Sequence, residues 1–449
     1  MTATRSLPPG PRSPLPWQTL GMLTRQRPYL ERLRRRYGNL FTMKVLVYGR
    51  VVFVAEPALA KQVFTAPPEV LHAGDHSPLR RVLGRHSLLA IDEDRHLEQR
   101  RLLLPPFKGQ RLATYEPLVE EEAVAEMARW PEGVRFPVAA SMQRITLRVI
   151  LRAVFGATGR DLAELEELMP PWTALGSRLA NFPFLHRDLG PRSPWGRFLR
   201  LRARIDAILD RLIAQAKSDR RLAERDDILA LLVQARHEDG SPMSNAEIRD
   251  QLVTMLAAGH ETTAHTLSWA VERITRHPHV LERLVAEVDA GDGKAYREAT
   301  IREVQRMRPT IYFAGRYAMT DYELGGHLLP RGTLIGLAAA LTHFDPRLFP
   351  RPDVFDPERF LGVTPGTYEW IPFGGGRRRC IGASFAHMEM DVVVRTMLER
   401  FELQPTDAPD ERWRDRGVAV APSEGGLVTV RRRRERSARR RQAAVSAVA

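Results

Sequence analysis

The sequence predicts a mainly α protein with a smaller β region, and three observations carry that prediction. Apolar residues recur at helical spacing almost continuously from Leu112 to Ala290. Two outlying stretches, Leu40 to Ala55 and Arg316 to Leu337, alternate or run apolar between turn residues, as strands do. No Gly/Ser-rich or Pro-rich linker divides the 449 residues, so one large domain is expected over 1–430, with a basic tail over 431–449. The hydrophobic share of 43% is enough to build its core.

In order along the chain, Pro8-Pro9-Gly10-Pro11 forms a stiff entry, and Pro28 to Tyr37 reads as a short basic helix ended by Gly38. Leu40 to Val47 and Val51 to Ala55 flank Tyr48-Gly49-Arg50 as a hairpin. Proline removes a helix hydrogen bond and crowds the preceding turn, so breaks are expected at Pro170-Pro171 and across Pro183 to Pro194. The longest helix begins at a capping box, Ser244 with Glu247 three residues on, and ends before His277-Pro278. At the ordinary helical rise it extends about 50 Å. Its middle, Ala257-Ala258-Gly259-His260-Glu261-Thr262-Thr263, places weak helix formers where a buried helix gains nothing from them. Such breaches of local rules tend to mark function. Gly325-Gly326 and Pro330-Arg331-Gly332 are turns in the second strand-rich stretch. Ala383 to Phe401 is an amphipathic helix, and Pro422 to Gly426 separates two short strand candidates.

The formal charge is +14, but Arg431 to Arg441 holds eight Arg and one Glu, so a net +7 lies in a short terminus. A disordered, solvated extension is the simpler reading of it, and a docking arm for anionic lipid or nucleic acid the alternative. No stretch approaches the roughly 18–20 apolar residues that span a bilayer, and Met1 to Leu7 lacks a signal peptide's apolar centre. A soluble, cytoplasmic monomer with no specific nucleic-acid partner is expected.

The lone cysteine, Cys380, cannot form an internal disulfide, which suits a reducing compartment. Taken by itself it could be a small buried hydrophobe. Its setting, Phe373-Gly374-Gly375-Gly376-Arg377-Arg378-Arg379-Cys380-Ile381-Gly382, suggests more. Glycines let the backbone approach a bulky flat group, and three arginines and a helix N-terminus favour thiolate, the metal-binding form. Structural zinc would need companion ligands that are absent here, and a cysteine nucleophile would leave the glycines without a purpose. A haem iron, which needs one protein ligand on its proximal side, fits best.

The ten-residue run resembles the haem-binding loop of the cytochrome P450 haem-thiolate monooxygenases. Ala258-Gly259-His260-Glu261-Thr262-Thr263 is similar to that family's oxygen-activation motif, and Glu303-Val304-Gln305-Arg306 with Pro357-Glu358-Arg359-Phe360 to its E-x-x-R and P-E-R-F segments. The resemblance covers about residue 7 to residue 430. It implies a triangular, helix-rich domain with haem b between the long helix and the cysteine loop. Cys380 becomes the axial ligand, Phe373 packs by its sulfur, Gly376 and Gly382 leave room for the porphyrin, and His96, Arg100, Arg316 and Arg378 bind the propionates. Gly259 opens a groove for dioxygen, Glu261 and Thr262 serve proton delivery, His260 points away, and Glu303, Arg306 and Arg359 form a buried ionic cluster that fixes the loop. For Thr262 and Glu261 the plain alternative is a hydroxyl bonded back to a helix carbonyl and a surface ion pair.

Electrons would come from NAD(P)H through a ferredoxin or flavodoxin and its reductase, steered by Arg377 and Arg379. The expected substrate is a hydrophobic small molecule such as a terpenoid, fatty acid, steroid or polyketide. Its contacts are sought in Leu71 to Leu89, Pro183 to Trp195, Met255, Ala258 and Ile311 to Ala314. Use of the same fold as a peroxygenase or isomerase, or as a non-catalytic haem carrier, is the alternative.

Overall fold

The computed structural model describes residues 6–46, 48–156, 159–291 and 293–433. Helices dominate; among the described residues five strands form one sheet and the others four two-stranded ribbons. The order of the five-stranded sheet is Leu40–Val45, Gly49–Val54, Leu334–Leu337, Ala314–Ala318, Leu71–His72. The first two strands form the expected hairpin, with Leu40 opposite Val54. The third joins parallel to the second and the others antiparallel, so the N-terminal and C-terminal strand stretches meet in one sheet. The proline entry is tied to the same sheet. Thr42 donates its N–H to the Pro9 carbonyl (2.9 Å) and its hydroxyl to that of Pro8 (2.7 Å).

The longest helix, Asn245–Thr275, begins at the Ser244 and Glu247 capping box and has 31 residues. Its faces are covered by Ala139–Phe155, Pro194–Ser218, Ala295–Met307 and Ala383–Arg400, so it is the axis of the helical layer. From residue 250 to 275 it is buried throughout, except at Ala257, Ala258, Gly259, Glu261 and Thr262. A continuous hydrophobic core reaches from Val82 to Val430 around it.

Two proline readings are corrected. The first helix runs Leu15–Tyr37 with Pro28 inside it, and Arg160–Ala180 passes through Pro170 and Pro171. An interior proline costs a helix about 3 kcal/mol. Burial of Leu168, Met169, Trp172 and Leu179 on one face offsets it, with Trp172 stacked on Phe198 at 5.6 Å between ring centroids. The break across Pro183 to Pro194 is present. The start of the predicted tail is also ordered. Arg431 and Arg432 extend a strand paired with Phe401–Leu403, while Arg432 and Arg433 meet Glu132 and Asp289. Residues 434–449 lie outside the described residues.

Candidate active site

Cys380 sits two residues before Gly382, the N-cap of the Ala383–Arg400 helix. The loop is held by its own backbone, with Cys380 N–H donating to Phe373 O (3.0 Å) and Arg379 N–H to Gly376 O (3.1 Å). Phe373 packs against His387, with ring centroids 5.2 Å apart. Gly376 has φ +63°, and a Cβ there would lie 2.0 Å from the Phe64 carbonyl oxygen. Its missing side chain therefore serves close packing on the Pro57–Thr65 helix rather than room for a porphyrin. At Gly382 a Cβ would meet nothing within 4 Å, so that position is open.

The Cys380 side chain is accessible. Nearby protein nevertheless desolvates it enough to push its thiol up, against a Gly382 N–H and the charges of Arg379 and Arg100. The expectation of a pre-formed thiolate is thus reversed for the protein alone. Arg378 turns away onto Asp92 and the Ile91 carbonyl. A metal ion coordinated by Cys380 would favour its thiolate form.

His96 and Arg100 share the Glu93–Leu103 helix, and both Arg378 and Arg316 lie within electrostatic reach of His96. The structure therefore brings together all four residues that the sequence nominates for the propionates. Burial and then the Arg378 and Arg100 charges push His96 down to about 3, so its ring is neutral. Arg316 is buried, donates to the Gly315 carbonyl (2.8 Å), and is held down to about 10 by desolvation and by Arg378. Among the described residues neither Arg100 nor Arg316 has an ion-pair partner, and Arg378 pairs with Asp92. Three guanidinium groups beside one carboxylate leave a surplus that two more carboxylates would match. The donor set, the accessible sulfur and the open Gly382 position fit a haem.

The central helix carries the remaining candidates. Glu261 has no ion-pair partner among the described residues. Burial pushes its carboxyl up to about 7, with Arg416 opposing. The surface pair weighed as an alternative is absent among the described residues. The other half of that alternative is present, since Thr262 Oγ1 donates to the Ala258 carbonyl at 2.8 Å. The hydroxyl oxygen keeps its lone pairs free to accept a hydrogen bond. Gly259 does not open a groove, because its Cβ direction meets the Ile150 side chain at 3.4 Å. It lets two helices approach, and Ala258 is the exposed position instead. His260 is buried against Leu256 O, and its own carbonyl accepts from Thr146 Oγ1 (2.9 Å), so it points away as expected.

The ionic cluster is assembled around Glu303. Arg306 reaches both its oxygens, at 2.7 and 2.8 Å, and Arg359 Nε lies 3.2 Å from Oε1. Sequence reasoning missed the residue that links the cluster to the loop. His343 O accepts from Arg306 Nη1 (2.8 Å), while His343 Nε2 accepts the Ile371 N–H (2.9 Å) just before Phe373. Burial and Arg306 push this ring down to about 3, so it is neutral and keeps its proton on Nδ1, which faces Arg306 O. Asp92 was missed as well. It accepts the N–H groups of Ala73, Gly74 and Asp75 besides Arg378. A lone His or Asp without a motif offered no signal for either.

Of the substrate-facing candidates, Met255 is buried, and Trp195 stacks at 4.9 Å on Phe198. Ala73, Ser77, Pro78 and Leu79, with Ile311 to Phe313, do line a cavity of about 330 Å³.

Comparison with known proteins agrees with this geometry. Residues 8–429 match the family described as "Cytochrome P450". A Mycobacterium tuberculosis protein named "Putative cytochrome P450 138" is 51% identical over 429 residues, covering 95% of this chain and 97% of its own length. "Putative cytochrome P450 135B1" from the same organism is 43% identical, over 97% of this chain and 94% of its own. A cyanobacterial CYP120A1 solved with retinoic acid superposes with a TM-score of 0.82 at 24% identity, covering 96% of this chain and 100% of the other. No helix among the described residues is long and apolar enough to cross a membrane. With a cysteine loop, a cationic cluster and a central helix whose burial is broken at its middle, and a family match over nearly its whole length, the chain belongs to the cytochrome P450 family and is a haem-thiolate monooxygenase.

Proposed function

We propose that the chain inserts one oxygen atom into a hydrophobic small molecule, with Cys380 as axial ligand and Glu261 and Thr262 managing protons on the opposite side. The observation that carries this reading is the accessibility of Ala257, Ala258, Gly259, Glu261 and Thr262 on a helix otherwise buried from residue 250 onward, together with the accessible Cys380 sulfur. When bound, a haem ligated by cysteine thiolate supplies the activation of dioxygen. His96, Arg100, Arg316 and Arg378 would hold its carboxylates.

The protein's own groups account for proton handling. A carboxyl titrating at about 7 can both hold and release a proton near neutral pH, which is what a relay needs. The sign follows from the raised value: Glu261 is neutral below about 7 and ionised above it. As a proton donor it should therefore lose competence as pH rises through that range. Thr262 Oγ, with its hydrogen on Ala258 O, presents an acceptor toward the site. In Thr262→Ala and Glu261→Gln, product formed per NAD(P)H consumed is expected to fall about tenfold or more, and the slope near pH 7 should vanish in Glu261→Gln. Unchanged coupling in both variants would favour the peroxygenase or isomerase use.

Electrons come from a redox partner, proposed to be a ferredoxin or flavodoxin. Arg377 and Arg379 are exposed on the cysteine side, where positive charge attracts such acidic proteins. Exposed charges are screened within about 8–10 Å at physiological salt. Stopped-flow reduction by an acidic ferredoxin should slow as salt rises, and an unchanged rate would remove this role.

A further inference from the structure

The cavity of about 330 Å³ lies between the first helix, the Leu40–Val54 hairpin, the end of the Arg160–Ala180 helix and the Trp413–Pro422 hairpin. Leu46, Phe182, Ile311 and Val418 line it, and Leu46 and Phe182 are exposed. Two arginines interrupt this apolar lining: Arg178 in the last turn of the helix and Arg416 at the hairpin tip.

Tertiary packing fixes both on one wall. Asn181 Nδ2 donates to the Gly417 carbonyl (2.6 Å), and the Val418 N–H donates to Ser177 Oγ (2.8 Å). A Cβ at Gly417, whose φ is +108°, would lie 2.3 Å from the Ser177 carbonyl oxygen. The hairpin tip is thus clamped onto the turn that carries Arg178. Among the described residues neither Arg178 nor Arg416 forms an ion pair. The one carboxylate in the lining, Asp415, accepts the Gly417 N–H (2.6 Å). Burial, and then repulsion from Arg414 and Arg178, lowers the proton affinity of Arg416, while Glu261 works the other way. Exposed Arg178 and half-buried Arg416 thus turn two positive charges toward a largely apolar cavity, and the one carboxylate in its lining is already engaged, so an anionic ligand group would match them.

We infer that the substrate is an amphiphile with a carboxylate head, held by Arg416 and Arg178, and with its apolar body along the Leu46, Ile311 and Val418 walls. The planar guanidinium offers paired donors that match a carboxylate. Because Arg416 lies within electrostatic reach of Glu261, the head would be anchored near the accessible residues of the central helix. This inference rests on the reading of an apolar substrate and adds the charge of its polar end.

The test uses the full-length, haem-loaded protein with hexadecanoic acid, its methyl ester and the corresponding alcohol. Affinity is followed by calorimetry and by the haem spin-state shift. The acid is expected to bind about tenfold or more tighter than either neutral analogue. Added salt should narrow the gap. Arg416→Gln should abolish it, and Arg178→Gln, at an exposed position tolerant of change, should reduce it. Equal binding of acid and ester, or a gap that survives both substitutions, would overturn the carboxylate anchor and leave the apolar substrate standing. No binding by any of the three would count against both.

Discussion

Cys380→Ser is expected to give a folded protein that has lost its haem-thiolate chemistry. The carbon monoxide complex of the reduced protein should lose the far-red Soret band of a thiolate haem. Turnover should fall by about a thousandfold or more, equivalent to about 4 kcal/mol of barrier. Folding should survive because the backbone of the loop makes its own bonds, Cys380 N to Phe373 O and Arg379 N to Gly376 O, and neither needs the sulfur. Serine is close in size and can still accept from Gly382. Its hydroxyl is far less acidic than the thiol, so a site that already resists thiolate formation through burial would resist an alkoxide more strongly. Retention of the band, or of turnover, would remove Cys380 from the axial position.

The second large effect is on stability. Arg306→Ala leaves Glu303 fully buried with only Arg359 beside it, and it unties His343 from the loop that leads to Phe373. Removing one partner of a buried ion pair costs about 3–5 kcal/mol. Chemical denaturation should show a loss of that size, together with weaker haem retention. Burial already pushes Glu303 up, against the pull of Arg306 and Arg359, and removing Arg306 pushes it further. An acid whose pKa is higher in the folded than in the unfolded state destabilises the fold where it must ionise. The deficit should therefore grow as pH rises above about 4.5 and shrink below it. The double variant Glu303→Leu/Arg306→Met, which removes both charges, should be more stable than Arg306→Ala. If Arg306→Ala unfolded like the wild type, the cluster would have no part in holding the loop.

Much of the fold could be read locally. The capping box at Ser244 placed the start of the central helix to the residue, and Tyr48-Gly49-Arg50 marked the first hairpin, although Gly49 and Arg50 pair within its second strand rather than forming its turn. The cysteine loop, the weak helix formers of the central helix and the i,i+3 pair Glu303/Arg306 were legible because their residues are close in sequence and each pattern has a physical reason. The same locality misled at Pro28 and at Pro170-Pro171, where buried side chains of the whole helix outweigh a local penalty. It also misled at Gly259 and Gly376, whose missing side chains face Ile150 and Phe64 rather than a ligand.

By itself, then, the sequence determined the fold class, the family, the axial ligand candidate and the acid-threonine pair, all of which depend on short-range spacing. Tertiary structure decided how those groups are tuned. It turned Arg378 onto Asp92, 286 residues away, placed neutral His343 between the ionic cluster and the loop, partly desolvated Glu261, and clamped Arg416 beside Arg178. Charge and burial at these positions are set by neighbours from about thirty to nearly three hundred residues distant, and no local pattern encodes a distance that only packing creates.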